Sequence, residues 1–158
     1  MDLPSNRLDP RMLRVWRLGS LVLIAVTLAV AAGALAAGGA LGWPLPVVAG
    51  VAAALLAVEL VDLAVSPRVE YATWRYEVTP TDVELYHGVF VKKHVVVPLV
   101  RVQHVETKQG PIMRASGLAS VRVSTAGESF EIPGLAEDEA RRLRDRVAEL
   151  ARLAKEDV

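Results

Sequence analysis

The sequence has no cysteine and no excess of either charge. Without cysteine, the chain can form no disulfide and has no thiolate for catalysis or for a Cys-based metal site. Its 18 Lys and Arg residues balance 18 Asp and Glu residues, so no overall basic field favours nucleic acid as a partner. A length of 158 residues leaves room for one ordinary domain and a membrane anchor.

Charge is also missing from a long internal stretch. Residues 18–41 carry no charged side chain, and their length of about 36 Å at ~1.5 Å per helical residue exceeds a hydrocarbon core of about 30 Å. A second apolar run at residues 45–65 is charged only at Glu59 and Asp62. The two runs are separated by a Gly- and Pro-containing turn at residues 42–46. They predict a transmembrane helical hairpin over residues 18–65, with the lipid bilayer as its first partner.

The N-terminal segment, residues 1–17, is basic and predicts the orientation of the hairpin. By the positive-inside rule, we expect a multi-pass protein of the cell membrane with both termini and the soluble domain in the cytoplasm. Asp9 followed by Pro10 is typical of a helix start. The predicted membrane-interface anchors are Arg11, Arg14, Trp16, Arg17 and, beyond the hairpin, Trp74. A cleaved signal peptide is disfavoured, because the apolar run is too long and a second one follows it.

The two carboxylates in the second apolar run admit two interpretations. Glu59 and Asp62 are three residues apart and share one helix face. They could form an intramembrane acid pair on a proton or cation path. We favour an interfacial position with ion pairs to Arg14 or Arg17, because two helices alone enclose no aqueous path.

A soluble domain is predicted at residues 67–155. Pro67 should end the second helix, and the hydrophobic period then changes from helical to alternating. One helical turn with an N1 proline and a glycine C-cap is predicted at residues 110–117. The predicted strands cover residues 74–79, 83–87, 92–98, 99–108, 118–125 and 129–133.

The last predicted element is an amphipathic helix at residues 136–155. Acidic residues fill its first turn, and an apolar stripe follows its length at Ala140, Leu143, Val147, Leu150 and Ala154. We expect the stripe to pack on the domain's own sheet, the alternative being a partner helix. The fold class is therefore α+β, with antiparallel strands capped by one helix.

Several short motifs of the soluble domain occur in a recurring order. They are Arg75–Thr79, Val97–Val105, Gln109–Arg114, Gly117–Val123, Thr125–Gly127 and Ile132–Leu135. Their order and spacing resemble the membrane-anchored bacterial pleckstrin-homology-like (PH-like), or YdbS-like, family. The resemblance implies a PH-like barrel of two roughly orthogonal sheets with a capping C-terminal helix. It also implies seven strands, one more than the six predicted from the pattern.

The sequence contains little that points to chemistry. Phosphoinositide binding is not expected, because the first hairpin turn, residues 79–82, has no Lys or Arg. The basic cluster Lys92, Lys93 and His94 is a possible lipid or partner contact, or else a solvated hairpin tip. The three histidines lack metal-ligand spacing, and no nucleophile or phosphate-binding motif is present. No cofactor, metal or catalytic residue is predicted.

Three classes of function follow from these observations. We favour a non-enzymatic, membrane-anchored binding or scaffold module that engages protein partners or forms a homo-oligomer. The alternative is a small integral subunit of a membrane transport or secretion complex that docks through its hairpin. An enzyme is disfavoured, because the sequence indicates no polar catalytic pocket.

Overall fold

A computed structural model describes residues 3–156 of the chain. Within the described residues, the chain divides into two compact units. One is Trp16–Arg68, and the other combines Met1–Val15 with Val69–Val158. The N-terminal segment thus belongs to the same unit as the strands.

Two long apolar helices form the hairpin. Helix α1 is Met12–Leu41 and helix α2 is Leu45–Thr73, and both are long and apolar enough to cross a membrane. The turn between them is closed at Gly42, which has a φ of 68°. The Trp43 N–H donates to the Gly38 carbonyl at 3.0 Å, which is the longer hydrogen bond of a Schellman motif.

Helix α2 does not end where the sequence predicted. It continues through Pro67 to Thr73, so the predicted end at Ser66–Pro67 is wrong. Proline removes one backbone hydrogen bond, but apolar helices tolerate this where nearby groups compensate for it. Further along, the Thr73 hydroxyl donates to the carbonyls of Val69 and Glu70, and the Trp74 N–H donates to Glu70. These bonds complete the last turn of α2.

Six antiparallel strands are arranged in two sheets. The first sheet has the order β1-β2-β3 and the second has the order β4-β5-β6. No strand pair joins the two sheets within the described residues, so the expected barrel is not closed. The strands are β1 Arg75–Val78, β2 Asp82–His87, β3 Lys93–Pro98, β4 His104–Lys108, β5 Leu118–Ser124 and β6 Ser129–Ala136.

The strand predicted at residues 99–108 is wrong in its first half. Residues Leu99–Arg101 form a short 3-10 helix, and only His104–Lys108 is a strand. Leu99, the first residue of this 3-10 helix, and Val102, which follows it, are buried at 0% and 2% exposure. Two buried residues three apart fit one helical turn, and the alternating pattern of sequence hid this local change of period.

The helical turn predicted at residues 110–117 is present, whereas strand β5 departs from simple alternation. Helix α3, Pro111–Ala115, has its predicted N1 proline and is followed by Gly117 at a φ of 66°. In β5, Ser120 is polar but only 1% exposed. A register shift between Ala119 and Val121 interrupts the β5–β6 pairing, and the Ser120 hydroxyl lies 3.7 Å from the sulfur of Met113 in α3. The bulge and the cover by α3 bury this residue.

Helix α4, Glu137–Glu156, closes the domain. It packs on the 3-10 helix, β4, β5 and β6, with Ala140, Val147 and Ala151 buried. The predicted packing of the helix on its own domain is therefore confirmed. The polar side of α4 carries ion pairs such as Arg142–Asp138 at 3.0 Å.

The N-terminal segment is built into the domain rather than lying apart from it. Leu8 and Met12 are 2% and 4% exposed. Asn6 forms an isolated antiparallel bridge with Tyr76, with both backbone hydrogen bonds at 3.1 Å. Gly134, at a φ of 63°, leaves room for Met12, because a Cβ there would lie 2.4 Å from Met12 Cγ.

Candidate interaction sites

The predicted basic cluster is divided by the structure. Lys92 and Lys93 are both exposed where the β2–β3 turn enters β3. His94 is instead engaged within the sheet, since its Nε2 lies 3.2 Å from Glu84 Oε2 and its ring meets Tyr86 edge-on. Only the two lysines thus remain available as a basic pair for lipid or partner contact.

The base of the same turn is held by aromatic and polar contacts. Trp74 is 4% exposed and stacks on His87, with ring centroids 5.1 Å apart. This burial gives Trp74 a core role in place of the membrane-interface role that the sequence predicted. Burial, with a smaller contribution from Lys93, lowers the pKa of His87, so its ring is neutral near pH 7. The Thr73 hydroxyl donates to the Gly88 carbonyl at 3.0 Å.

The Arg11 side chain is bound within the domain. Its guanidinium donates to Asp9 at 2.9 and 3.0 Å and to the Ser116 carbonyl at 3.1 Å. The Arg11 backbone N–H also donates to Asp9 Oδ1 at 2.8 Å, which is the helix-capping role predicted for Asp9. The hydrogen bonds from the Arg11 side chain lower the pKa of Asp9, against the opposing effect of burial. Of the other predicted anchors, Arg14 is exposed, and Trp16 and Arg17 are half-buried.

The two carboxylates of the hairpin have hydroxyl partners. Glu59 Oε1 accepts a hydrogen bond from the Thr27 hydroxyl at 2.6 Å, which joins α1 to α2. Its second oxygen is buried and has no partner within the described residues. Asp62 accepts from the Ser66 hydroxyl one turn later in α2. The structure thus gives both carboxylates partners other than the arginines that the sequence suggested.

A shallow groove lies beside the C-terminal end of α4. One part of the groove, about 540 Å³, lies between β4 and α4 and includes Val102 and Ala151. Neighbouring hollows of about 660 Å³ and 540 Å³ continue past the 3-10 helix, where Val100 and Leu153 are 42% and 41% exposed. We call this surface the α4 groove. Sequence reasoning missed it, because it depends on the 3-10 helix that replaces the predicted strand.

A smaller pocket of about 210 Å³ lies at Tyr76. The Tyr76 hydroxyl donates to Glu139 at 3.1 Å and thereby ties β1 to α4. Burial, with the nearby Glu139 carboxylate, raises the pKa of Tyr76, so the phenol stays protonated at neutral pH. Its role is structural. Over residues 3–156, no group of three potential metal ligands is found.

Comparison with known proteins gives the family. The model of a family described as "Bacterial PH domain" matches residues 18–151. The chain belongs to the bacterial PH domain family. The chain is also 38% identical over 155 residues to a Bacillus subtilis (strain 168) protein named "UPF0699 transmembrane protein YdbS", and this match covers 98% of each chain. No solved structure matches the chain.

The family match includes the hairpin as well as the strands. The transmembrane relative and the two apolar helices support a membrane location, so the chain is a membrane-anchored bacterial PH-like protein. The family resemblance predicted from the sequence motifs is thereby confirmed.

Proposed function

We propose that this bacterial PH-like protein is a non-enzymatic binding module that holds a protein partner, or a second copy of itself, at the cytoplasmic face of the membrane. Residues 18–65 are its anchor and residues 67–155 are the module. The observation that carries the proposal is the α4 groove, an exposed and partly apolar surface next to the open side of the two sheets.

The composition of the α4 groove supports a protein partner. Val100 and Leu153 offer apolar side chains at a surface where Arg101 and Lys155 supply charge. An apolar centre with a charged rim is the usual composition of a protein interface. A strand next to the groove, β4, is an outer strand of its sheet in the described residues. Outer strands of this kind can pair with a partner's extended segment.

The structural partners of the titratable side chains support the non-enzymatic part of the proposal. The Tyr76 hydroxyl is used in a structural hydrogen bond to Glu139, His87 is stacked on Trp74, and His94 is paired with Glu84. The phenol of Tyr76 becomes a weaker acid in the fold, whereas a catalytic base near neutral pH would need the opposite shift.

Site-specific photo-crosslinking in native membranes tests the α4 groove. A photoreactive residue in place of Val100 or Leu153 should give a discrete adduct. The matched control is Val96 on β3, an exposed valine at 49% that lies outside the groove. An adduct at twice the chain mass of 17.0 kDa would identify a second copy. Equal yields at Val96 and Leu153, or no adduct at either groove position, would contradict the proposal.

A small subunit that docks through its hairpin is the second candidate. The Thr27–Glu59 hydrogen bond and an apolar hollow of about 270 Å³ between α1 and α2 support it. Replacement of residues 18–65 by an unrelated two-helix anchor separates the candidates. Retained crosslinking at Leu153 favours the cytoplasmic module, whereas loss of partner capture with the domain still folded favours docking through the hairpin.

A further inference from the structure

The turn between β2 and β3 exposes apolar side chains in an unusual way. We call residues 89–93 the tip segment. Phe90 is 95% exposed and Val91 is 72% exposed, although the chain has only two phenylalanines. Neither side chain has a place in the domain core. Single exposed apolar residues are common, but an aromatic and an aliphatic residue together at the end of a hairpin suggest a contact outside the domain.

Positive charge follows directly on the apolar pair. Lys92 and Lys93 are exposed and adjacent to Val91. The nearest carboxylate on the facing strand, Glu84, is paired with His94. An apolar end followed by lysines matches the boundary between acyl chains and headgroups, where lysine side chains reach lipid phosphates.

The tip segment begins beside the end of α2. The Gly88 carbonyl, immediately before the segment, accepts the hydrogen bond from Thr73, the last residue of α2. Only about 12 Å of helical chain, at 1.5 Å per residue, separates Thr73 from Val65, where the predicted span ends. This short chain connection allows the base of the tip segment to reach the membrane surface.

The backbone at the base of the tip segment is constrained. Gly88 has a φ of 133°, and a Cβ at this position would lie 2.0 Å from the Val91 carbonyl oxygen. His87, one residue earlier, is held in its stack on Trp74. A turn that is already ordered loses little conformational entropy when it binds a surface.

We propose that the tip segment inserts Phe90 and Val91 into the anionic lipid leaflet from which α2 emerges, with Lys92 and Lys93 on lipid phosphates. The ligand is the bilayer surface itself. The inference rests on the membrane anchoring of the domain and not on partner binding at the α4 groove. Either proposal can therefore fail while the other stands.

Spin labelling of the full chain in nanodiscs tests the insertion. Because the natural chain has no cysteine, Val91→Cys gives one labelling site with Phe90 intact. Ala126→Cys, in the exposed β5–β6 turn, is the matched control. In nanodiscs of mixed phosphatidylglycerol and phosphatidylcholine, the label at 91 should be reached by oxygen and shielded from a water-soluble nickel chelate. The label at 126 should show the reverse.

Two variants in the Val91→Cys background separate the contributions. Phe90→Asp should return the label at 91 to the accessibility of the label at 126. Lys92→Glu with Lys93→Glu should weaken insertion, as should nanodiscs of phosphatidylcholine alone. Both variants change exposed side chains, so the fold and the crosslinking at Leu153 should persist.

Three results would overturn the inference. In the first, the label at 91 is as open to the nickel chelate as the label at 126 in the anionic nanodiscs. In the second, it is shielded from both reagents and shows spin–spin broadening, which would indicate contact with another protein chain. In the third, insertion is indifferent to charge reversal and to lipid charge, which would remove the anionic lipid from the proposal.

Discussion

Arg11 and Trp74 show how a single residue near a membrane segment can serve the soluble domain instead. Both match the composition of an interfacial belt, and both were predicted to lie in one. In the structure, the guanidinium of Arg11 binds Asp9 and the Ser116 carbonyl, and Trp74 is buried against His87. The composition of the sequence predicts that such residues lie near the membrane interface. Only their tertiary partners show whether they contact the lipid or stabilise the soluble domain.

The Asp9 carboxylate gives a pH-dependent prediction at this scale. The hydrogen bonds from Arg11 lower the pKa of Asp9 from its ordinary value of 3.8. The contribution of the charged carboxylate to stability is therefore complete above about pH 4 and is lost as the pH falls through the lowered pKa. We expect Asp9→Asn to cost about 1 kcal/mol at pH 7, because Asn can still cap the helix but loses the charge-assisted hydrogen bonds from the Arg11 guanidinium. The cost should shrink below about pH 4.

Thermal unfolding of the detergent-solubilised protein at pH 7 and at pH 3 checks this prediction. Asp145→Asn is the control, because Asp145 is 67% exposed and forms its ion pair with its neighbour Arg144. The control should change stability little at either pH. An equal loss of stability for Asp9→Asn at pH 7 and at pH 3 would show that the charge of Asp9 is not what stabilises its contact with Arg11.

At the scale of elements, helix α4 carries much of the domain core. Val147 is fully buried against the sheet side, whereas Leu153 on the same helix is 41% exposed. We expect Val147→Ala to destabilise the domain by about 2 kcal/mol through lost burial and the cavity left behind. Leu153→Ala should cost less than about 0.5 kcal/mol, although it should weaken partner capture at the α4 groove.

Chemical unfolding of the two alanine variants gives the comparison. A similar midpoint for Val147→Ala and Leu153→Ala would mean that α4 is not docked on the domain as the burial indicates. A loss of stability confined to Val147→Ala, with weaker crosslinking for Leu153→Ala, would separate the core side of the helix from its binding side.

The elements predicted well from sequence are those with one clear period. The stripe at Ala140 and Val147 predicted both the last helix and the face that it buries. The 3-10 helix at Leu99–Arg101 was missed, because its neighbours alternate like a strand. Pro67 was predicted to end α2, because proline has no backbone N–H for the helix, but α2 continues to Thr73. In both places, tertiary packing overrides a local rule.

The interaction surfaces were less predictable than the fold. Lys92 and Lys93 could be found from sequence as a basic pair, but the exposure of Phe90 could not, since an apolar residue beside a strand usually points inward. The α4 groove depends on how the 3-10 helix meets α4, which no single segment encodes. The buried role of Leu8 and Met12 was missed for the same reason: their partners are more than sixty residues away.

At the scale of the whole molecule, an apolar hairpin is followed by a PH-like domain, which we propose faces the cytoplasm. The family match and the two long helices establish the anchored domain. The orientation rests on the basic residues that precede the apolar run at residues 18–41 and on the uncharged turn at residues 42–46. The partner binding that we propose at the cytoplasmic face requires the domain to lie inside the cell.

Labelling of single cysteines in intact cells by a membrane-impermeant maleimide tests this orientation most directly. Trp43→Cys places the thiol in the turn between α1 and α2, and Ala126→Cys places it in the soluble domain. With the domain inside the cell, we expect labelling at position 43 in intact cells and labelling at position 126 only after the cells are opened. Labelling at position 126 in intact cells, with position 43 protected, would contradict it.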